Sequence, residues 1–260
     1  MTKSSTNFND TIILDCETSE SILTSLENIF STNKNEILSF IMNNNLDEIW
    51  RKSKQEKCAY QYYYEEFRKK FKLNTQEIEA FWFHNTRVQE SICFLEGILP
   101  LEEAIPRVEI LVDEIVADLG INHNSNKALF ATIIQHKLNT STDRGPWGFL
   151  IKDFAFCLPD GIHNYLEMPE IVEDVIRFKY NNHYHQIVKK YKEVTTPCIV
   201  KFKVSRNFHP DNLAFVIHYI YQKENKLELN ENCNTNLSNC GESISQDMII
   251  KINFYKNWKI

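Results

Sequence analysis

Long apolar runs are missing from this sequence, and no stretch approaches the roughly 20 apolar residues that span a bilayer. The opening residues, Met1 to Asp10, are polar and lack the apolar core of a secretion signal. Neither secretion nor a membrane-spanning helix is expected, and the cytoplasm is the expected compartment. The glycine patterns GxGxxG and GxxxxGK[ST] are absent, which excludes a Rossmann fingerprint and a P-loop. The GxSxG elbow of many hydrolases is absent too. No HExxH and no clustered Cys/His set has zinc spacing, so no metal is expected.

The seven cysteines, Cys16, Cys58, Cys93, Cys157, Cys198, Cys233 and Cys240, contain no CxxC pair. Their odd number and scatter suit reduced thiols. Cys93 and Cys157 lie in apolar stretches and are expected in the core. Cys233 and Cys240 flank a polar loop and could pair, although nothing in the sequence requires it. Positive charge is also in short supply. The formal net charge of -6 argues against broad binding to a phosphate backbone. Lys189, Lys190 and Lys192, or Lys201 and Lys203, could line a local basic groove, but a solvated charged face explains them as well.

What is present is enough for a folded core: 260 residues, 43% hydrophobic and 25% charged. Helical spacing runs from about Ser19 to Phe71, through Ile22, Leu23, Leu26, Ile29 and Phe30 and then Ile37, Leu38 and Ile41. Asn43-Asn44-Asn45 is expected to end one helix and cap the next. The aromatic cluster Tyr60, Tyr62, Tyr63, Tyr64, Phe67 and Phe71 reads first as packing between helices. A helix is expected over Glu90–Glu96 with Gly97 as its cap. A longer one should open at Pro100-Leu101 and end at Gly120, a third should cover 127–137, and a fourth should run from Pro169 to about Lys192. Strands are expected at about 81–85, 148–156, 198–205, 213–221 and 248–255, with a loop or irregular hairpin at 223–246. Helices first and strands later favour an α+β fold with a mixed, mainly antiparallel sheet. The expected division is a helical region at 1–75 and an α+β, catalytic-like domain at 76–260.

The segment Phe83-His84-Asn85-Thr86-Arg87, followed by Ile92 and then Glu96-Gly97-Ile98-Leu99-Pro100, carries polar side chains out of an aromatic strand. It resembles the first motif of the ADP-ribosyltransferase superfamily, in which a strand-borne His and a nearby Thr or Ser contact the ribose of NAD. The resemblance spans roughly residues 80–205. It implies NAD as substrate, with His84 and Thr86 on ribose hydroxyls and Arg87 on the pyrophosphate. It implies a ring from Tyr165 stacked on nicotinamide, and a late carboxylate, Glu170 or Glu173, facing the cationic ribose. The reaction would be glycosyl transfer of ADP-ribose to a nucleic-acid or protein acceptor, in a toxin or defence effector. The sequence departs from the family where Pro169-Glu170-Ile171-Val172-Glu173 reads as a helix start and not a strand. The usual Ser-Thr-Ser strand is absent from its expected place, and Asn139-Thr140-Ser141-Thr142 is only a loose echo of it.

Structural roles compete with each of these. A carboxylate in a first helical turn is what the helix dipole favours, which suffices to explain Glu170. A His among aromatics is often a core residue, and Thr86-Arg87 can be strand-end surface. Two other functions fit the composition. One is a non-catalytic interaction or immunity protein of a defence complex, binding a partner through its Tyr-rich N-terminal helices. The other is a hydrolase using His84, His163 and Glu170 as acid–base groups or metal ligands.

Overall fold

The computed structural model describes residues 11–74, 77–92, 94–121, 127–140, 144–157, 162–204 and 208–256. The tail expected at 1–10, Cys93, Ser141-Thr142 and the turn Pro159-Asp160-Gly161 lie outside them. In chain order the elements are β1 (Ile12–Leu14), α1 (Ser19–Phe30), α2 (Lys34–Asn43), α3 (Leu46–Lys52), α4 (Ala59–Lys70) and β2 (Ile78–Val88). Next come α5 (Leu101–Asp118), α6 (Lys127–Asn139), β3 (Trp147–Phe149), α7 (Glu170–Tyr180), α8 (Tyr184–Val194) and β4 (Thr196–Lys203). The chain then forms α9 (Leu213–Glu224), β5 (Asn236–Ser238) and β6 (Ile249–Phe254). The fold is α+β, with a mainly antiparallel sheet and a helical N-terminal region, as the order of patterns implied.

The chain divides into two compact units that are not consecutive in sequence. The first takes residues 1–81, 150–159 and 203–235, and the second takes 82–149, 160–202 and 236–260. The sequence boundary near residue 75 thus falls close to the first crossing, but the helical unit also takes two later segments.

In the helical unit each turn of the N-terminal pattern has a local cause. Thr18 caps α1 and exchanges a capping box with Ser21, which satisfies main-chain N–H groups that a helix start leaves unpaired. Asn33 caps α2, and Asn45 caps α3 by accepting from the Glu48 N–H, the role its sequence position suggested. The apolar stripe of α1 and the rings of α4 face inward, with Tyr63 and Phe67 fully buried. Phe67 meets Phe30 and Phe40 edge to face, at centroid distances of 5.1 and 5.2 Å. Tyr63, Tyr64 and Phe67 of the Tyr-rich helix are therefore core, while Tyr60 and Tyr62 stay half-buried. β1 pairs in parallel with the start of β2, from Ile12 against Ile78 to Leu14 against Ala80.

Residues 213–221, expected as a strand, form α9 instead. Nine of its twelve residues are buried, including Val216, Ile217 and Ile220. A helix buried on nearly every side loses the polar stripe that marks helical period, and its β-branched and aromatic content then reads as strand. The strand expected at 148–156 shrinks to β3, with a 3₁₀ turn over Lys152–Ala155. Cys157, expected in the core, is exposed there.

In the sheet unit the strand order is β5-β3-β2-β4-β6. β2 pairs antiparallel with β3 through Phe83 and Phe149, and β3 with β5 through Gly148 and Leu237. β4 pairs antiparallel with β6 from Cys198 against Phe254 to Phe202 against Ile249, with a register shift at Lys201/Phe202. A Cβ on Gly148 would lie 2.8 Å from the Phe202 ring and 3.0 Å from Cβ of Trp82, so only glycine lets β3 approach there. Helices α5, α7 and α8 share a core of Val112, Ile115, Val175, Ile176, Ile187 and Tyr191.

Two helical expectations fail in this unit. Residues 90–92 and 94–96 form no helix. Gly97, expected as its cap, has φ +80° for a different reason: the Ile98–Ile244 bridge brings the Ile244 carbonyl within 1.9 Å of where a Cβ would stand. The single helix expected to run to Lys192 breaks at the 3₁₀ turn Asn181–His183, which places two residues of low helix propensity in succession. Among the described residues no helix is long and apolar enough to cross a membrane.

Candidate functional site

β2 places the first set of candidates. Strand alternation puts His84 and Thr86 on one face and Phe83, Asn85 and Arg87 on the other. His84 is half-buried, and its Nδ1 lies 2.8 Å from the Trp147 carbonyl. That carbonyl can only accept, so Nδ1 carries the proton and donates. Burial lowers the pKa of His84, against the opposing pull of the carbonyl, and favours the neutral ring. The bond ties β3 to β2 at the point where β3 presents Trp147 and Phe149. Thr86 is half-buried two residues further along the His84 face.

Arg87 is committed to main chain. Nη1 donates to the Leu166 carbonyl at 3.0 Å, and Nη2 donates to the Lys192 and Thr195 carbonyls at 3.0 and 2.9 Å. Nε reaches the Thr195 hydroxyl at 3.2 Å. Two of these carbonyls close the end of α8, where the helix dipole favours a cation. This fork clamps the strand to α8 and leaves no donor pair turned toward a pyrophosphate.

The second set sits on and before α7. Tyr165 lies 6.2 Å from Phe149 and 4.9 Å from His163, ring centroid to centroid, and meets both near edge on. His163 Nε2 is 2.5 Å from the Met168 carbonyl, which fixes the ring with Nδ1 3.9 Å from Oε2 of Glu173. The Tyr184 hydroxyl donates to Glu173 at 2.9 Å, and Arg177 does so at 2.6 Å, one helical turn on. Burial, and then the Glu173 charge, raise the pKa of Tyr184 and keep it a donor. Glu170, in contrast, is 50% exposed at the helix start and pairs at 2.5 Å with Lys137, which also holds Asp174 at 2.6 Å.

The geometry therefore gathers Phe149, Tyr165, His163, Glu173 and Tyr184 into one run of contacts. Since Phe149 shares its face with its cross-strand partner Phe83, His84 and Thr86 fall on the opposite face from Tyr165. Glu170 stands outside the run. Tyr184 and Arg177 were the residues that sequence reasoning missed. The i, i+4 spacing of Glu173 and Arg177 was legible, but the return of Tyr184 depends on the break between α7 and α8.

Among the described residues no group of three or more His, Cys, Asp or Glu is placed to hold a metal ion. The six cysteines among the described residues are free, and burial pushes the Cys198 thiol up to about 12 and the Cys233 thiol up to about 11, leaving both inert as nucleophiles. Cys233 is buried and Cys240 exposed, and the two do not pair. Comparison with protein-family models, with curated proteins and with solved structures finds no match to this chain.

Proposed function

We propose that the chain transfers ADP-ribose from NAD to a nucleic-acid or protein acceptor, with Glu173 as its carboxylate and Tyr165 as the ring that receives nicotinamide. The observation that carries this reading is the run Tyr165–His163–Glu173, which joins an aromatic surface to a positioned base and a positioned anion. When the bond between nicotinamide and ribose breaks, positive charge develops on the ribose. A carboxylate held in place before the reaction stabilises that charge without reorganising. Tyr184 and Arg177 orient Glu173 for this work. His163 bonds Met168 through Nε2, so Nδ1 can take the acceptor's proton, and the imidazolium formed faces Glu173.

In this reading Glu170 is a helix-start carboxylate paired with Lys137, and Arg87 is a clamp. His84 is a positioning residue, because its bond to Trp147 sets the strand that carries Phe149. The free cysteines support a reducing compartment, and the cytoplasm is the setting proposed.

The test is nicotinamide release from NAD by the purified chain. Release is expected, and Glu173→Gln should lower it by about 10²–10³, the scale of one preorganised electrostatic group. No release, with or without cell extract as a source of acceptor, overturns the reading.

A further inference from the structure

We infer that Asn85, with Phe149 and Tyr165, forms a seat for a flat heteroaromatic ring whose edge carries a hydrogen-bond donor beside an acceptor. The starting point is an orphan. Asn85 is 5% exposed, and its Oδ1 has no hydrogen-bond partner among the described residues. Leaving a buried carboxamide oxygen unpaired is costly, and an apolar residue at this strand position would avoid the cost.

The surroundings say what the amide serves. Phe83 pairs with Phe149, and alternation sets Phe83, Asn85 and Arg87 on one face. On that face Tyr165 meets the Phe149 ring at 6.2 Å, while the Leu166 carbonyl accepts from Arg87 at 3.0 Å. Residues 165 and 166 therefore pass from the Phe149 row of the sheet to the Arg87 row, and Asn85 lies between those rows. Trp147, 39% exposed, is tied by its carbonyl to His84, the strand neighbour of Asn85. Lys201 holds its ammonium 5.9 Å from the Phe83 centroid.

A carboxamide offers a donor and an acceptor side by side. The amide of nicotinamide and the lactam edge of a nucleobase such as uracil answer that pattern, and both are flat rings that aromatic side chains stack. The seat shares Tyr165 with the transferase reading but requires no transfer.

The experiment is calorimetric titration of the whole chain with nicotinamide and, separately, with uracil, on the wild type, Asn85→Leu and Tyr165→Leu. At least one ring should bind. Asn85→Leu should weaken that ligand by about 10- to 100-fold while keeping or raising the melting temperature, because an apolar isostere removes the orphan. Tyr165→Leu should weaken the same ligand. Should Asn85→Leu fail to fold, Asn85→Thr replaces it, with a loss of about tenfold or more expected.

Tighter binding of nicotinamide than uracil assigns the seat to the leaving group of NAD, and the reverse assigns it to a base. Unchanged affinity in the Asn85 variant, or no binding of either ring to the wild type, overturns the inference. Ring binding lost in Asn85→Leu from a chain that releases no nicotinamide keeps the seat and removes the transferase. Release with unchanged affinity in Asn85→Leu does the opposite.

Discussion

The interior of the helical unit is built from rings, with Phe30, Phe40, Tyr63, Phe67 and Tyr221 meeting edge to face at centroid distances of 5.0–5.5 Å. The sheet unit instead runs charge through its interior. Arg87 spans the Leu166, Lys192 and Thr195 carbonyls, and Lys179, 5% exposed, holds Glu109 and Asp113 at 3.1 and 2.9 Å. Ring packing tolerates modest changes of shape, whereas a buried charge keeps its place only while every partner stays in position. In the sheet unit Arg87 and Lys179 are thus held by directed bonds, and the run from Tyr165 to Glu173 belongs to the same unit.

The largest effects should come from breaking one anchor in each unit. Phe67→Ala opens a cavity among rings and should cost about 3–5 kcal/mol. Arg87→Ala leaves three part-buried carbonyls without their donor and should cost a similar amount, about 3–5 kcal/mol. The two separate on conservative replacement. Phe67→Leu should recover most of the loss, while Arg87→Lys should recover little, since an ammonium cannot copy the fork. Urea denaturation of the four variants measures this. Full rescue by Arg87→Lys would erase the contrast between the units.

A smaller contrast is expected in pH. Burial lowers the pKa of His84 in the sheet unit and of His218 in the helical unit. Each binds its proton more readily when unfolded. Stability is then full above the unfolded value of about 6.5 and falls as pH drops from there toward the folded pKa. Melting temperature should decline on acidification through that window. His218→Phe should flatten the decline, since Tyr60 and Tyr221 already surround that ring. A melting temperature that rises on acidification, or a His218→Phe variant with an unaltered slope, would refute the assignment.

Smaller again is Gly97→Ala. Its φ of +80° and the close Ile244 carbonyl predict a loss of about 1–3 kcal/mol, read as a lower urea midpoint. A neutral result would mean that the Ile98–Ile244 bridge gives way easily.

Much of this organisation was legible in the sequence, for reasons that differ by element. α1 announced itself because one face is apolar and the other solvated, and Asn45 because capping is local chemistry. β4 and β6 were placed because apolar residues alternate with others along both, although β4 is buried on both faces and Lys201, expected on a solvated face, is only 5% exposed. α9 was misread because burial on nearly all sides removes the pattern that distinguishes helix from strand. At the site, the segment Phe83–Arg87 was singled out, yet the role of Arg87 depended on carbonyls 79 to 108 positions away in sequence. Glu170 and Glu173 were indistinguishable on paper, since both sit in the first turn of α7. The structure separates them by what faces each: Lys137 and solvent for Glu170, and His163 with Tyr184 for Glu173.

That separation is the central claim, and nicotinamide release at saturating NAD tests it directly in three folded proteins: wild type, Glu173→Gln and Glu170→Gln. Glu173→Gln should fall by about 10²–10³, while Glu170→Gln, which loses only an exposed ion pair, should stay within about twofold of wild type. Equal rates in all three, or a loss confined to Glu170→Gln, would contradict the account.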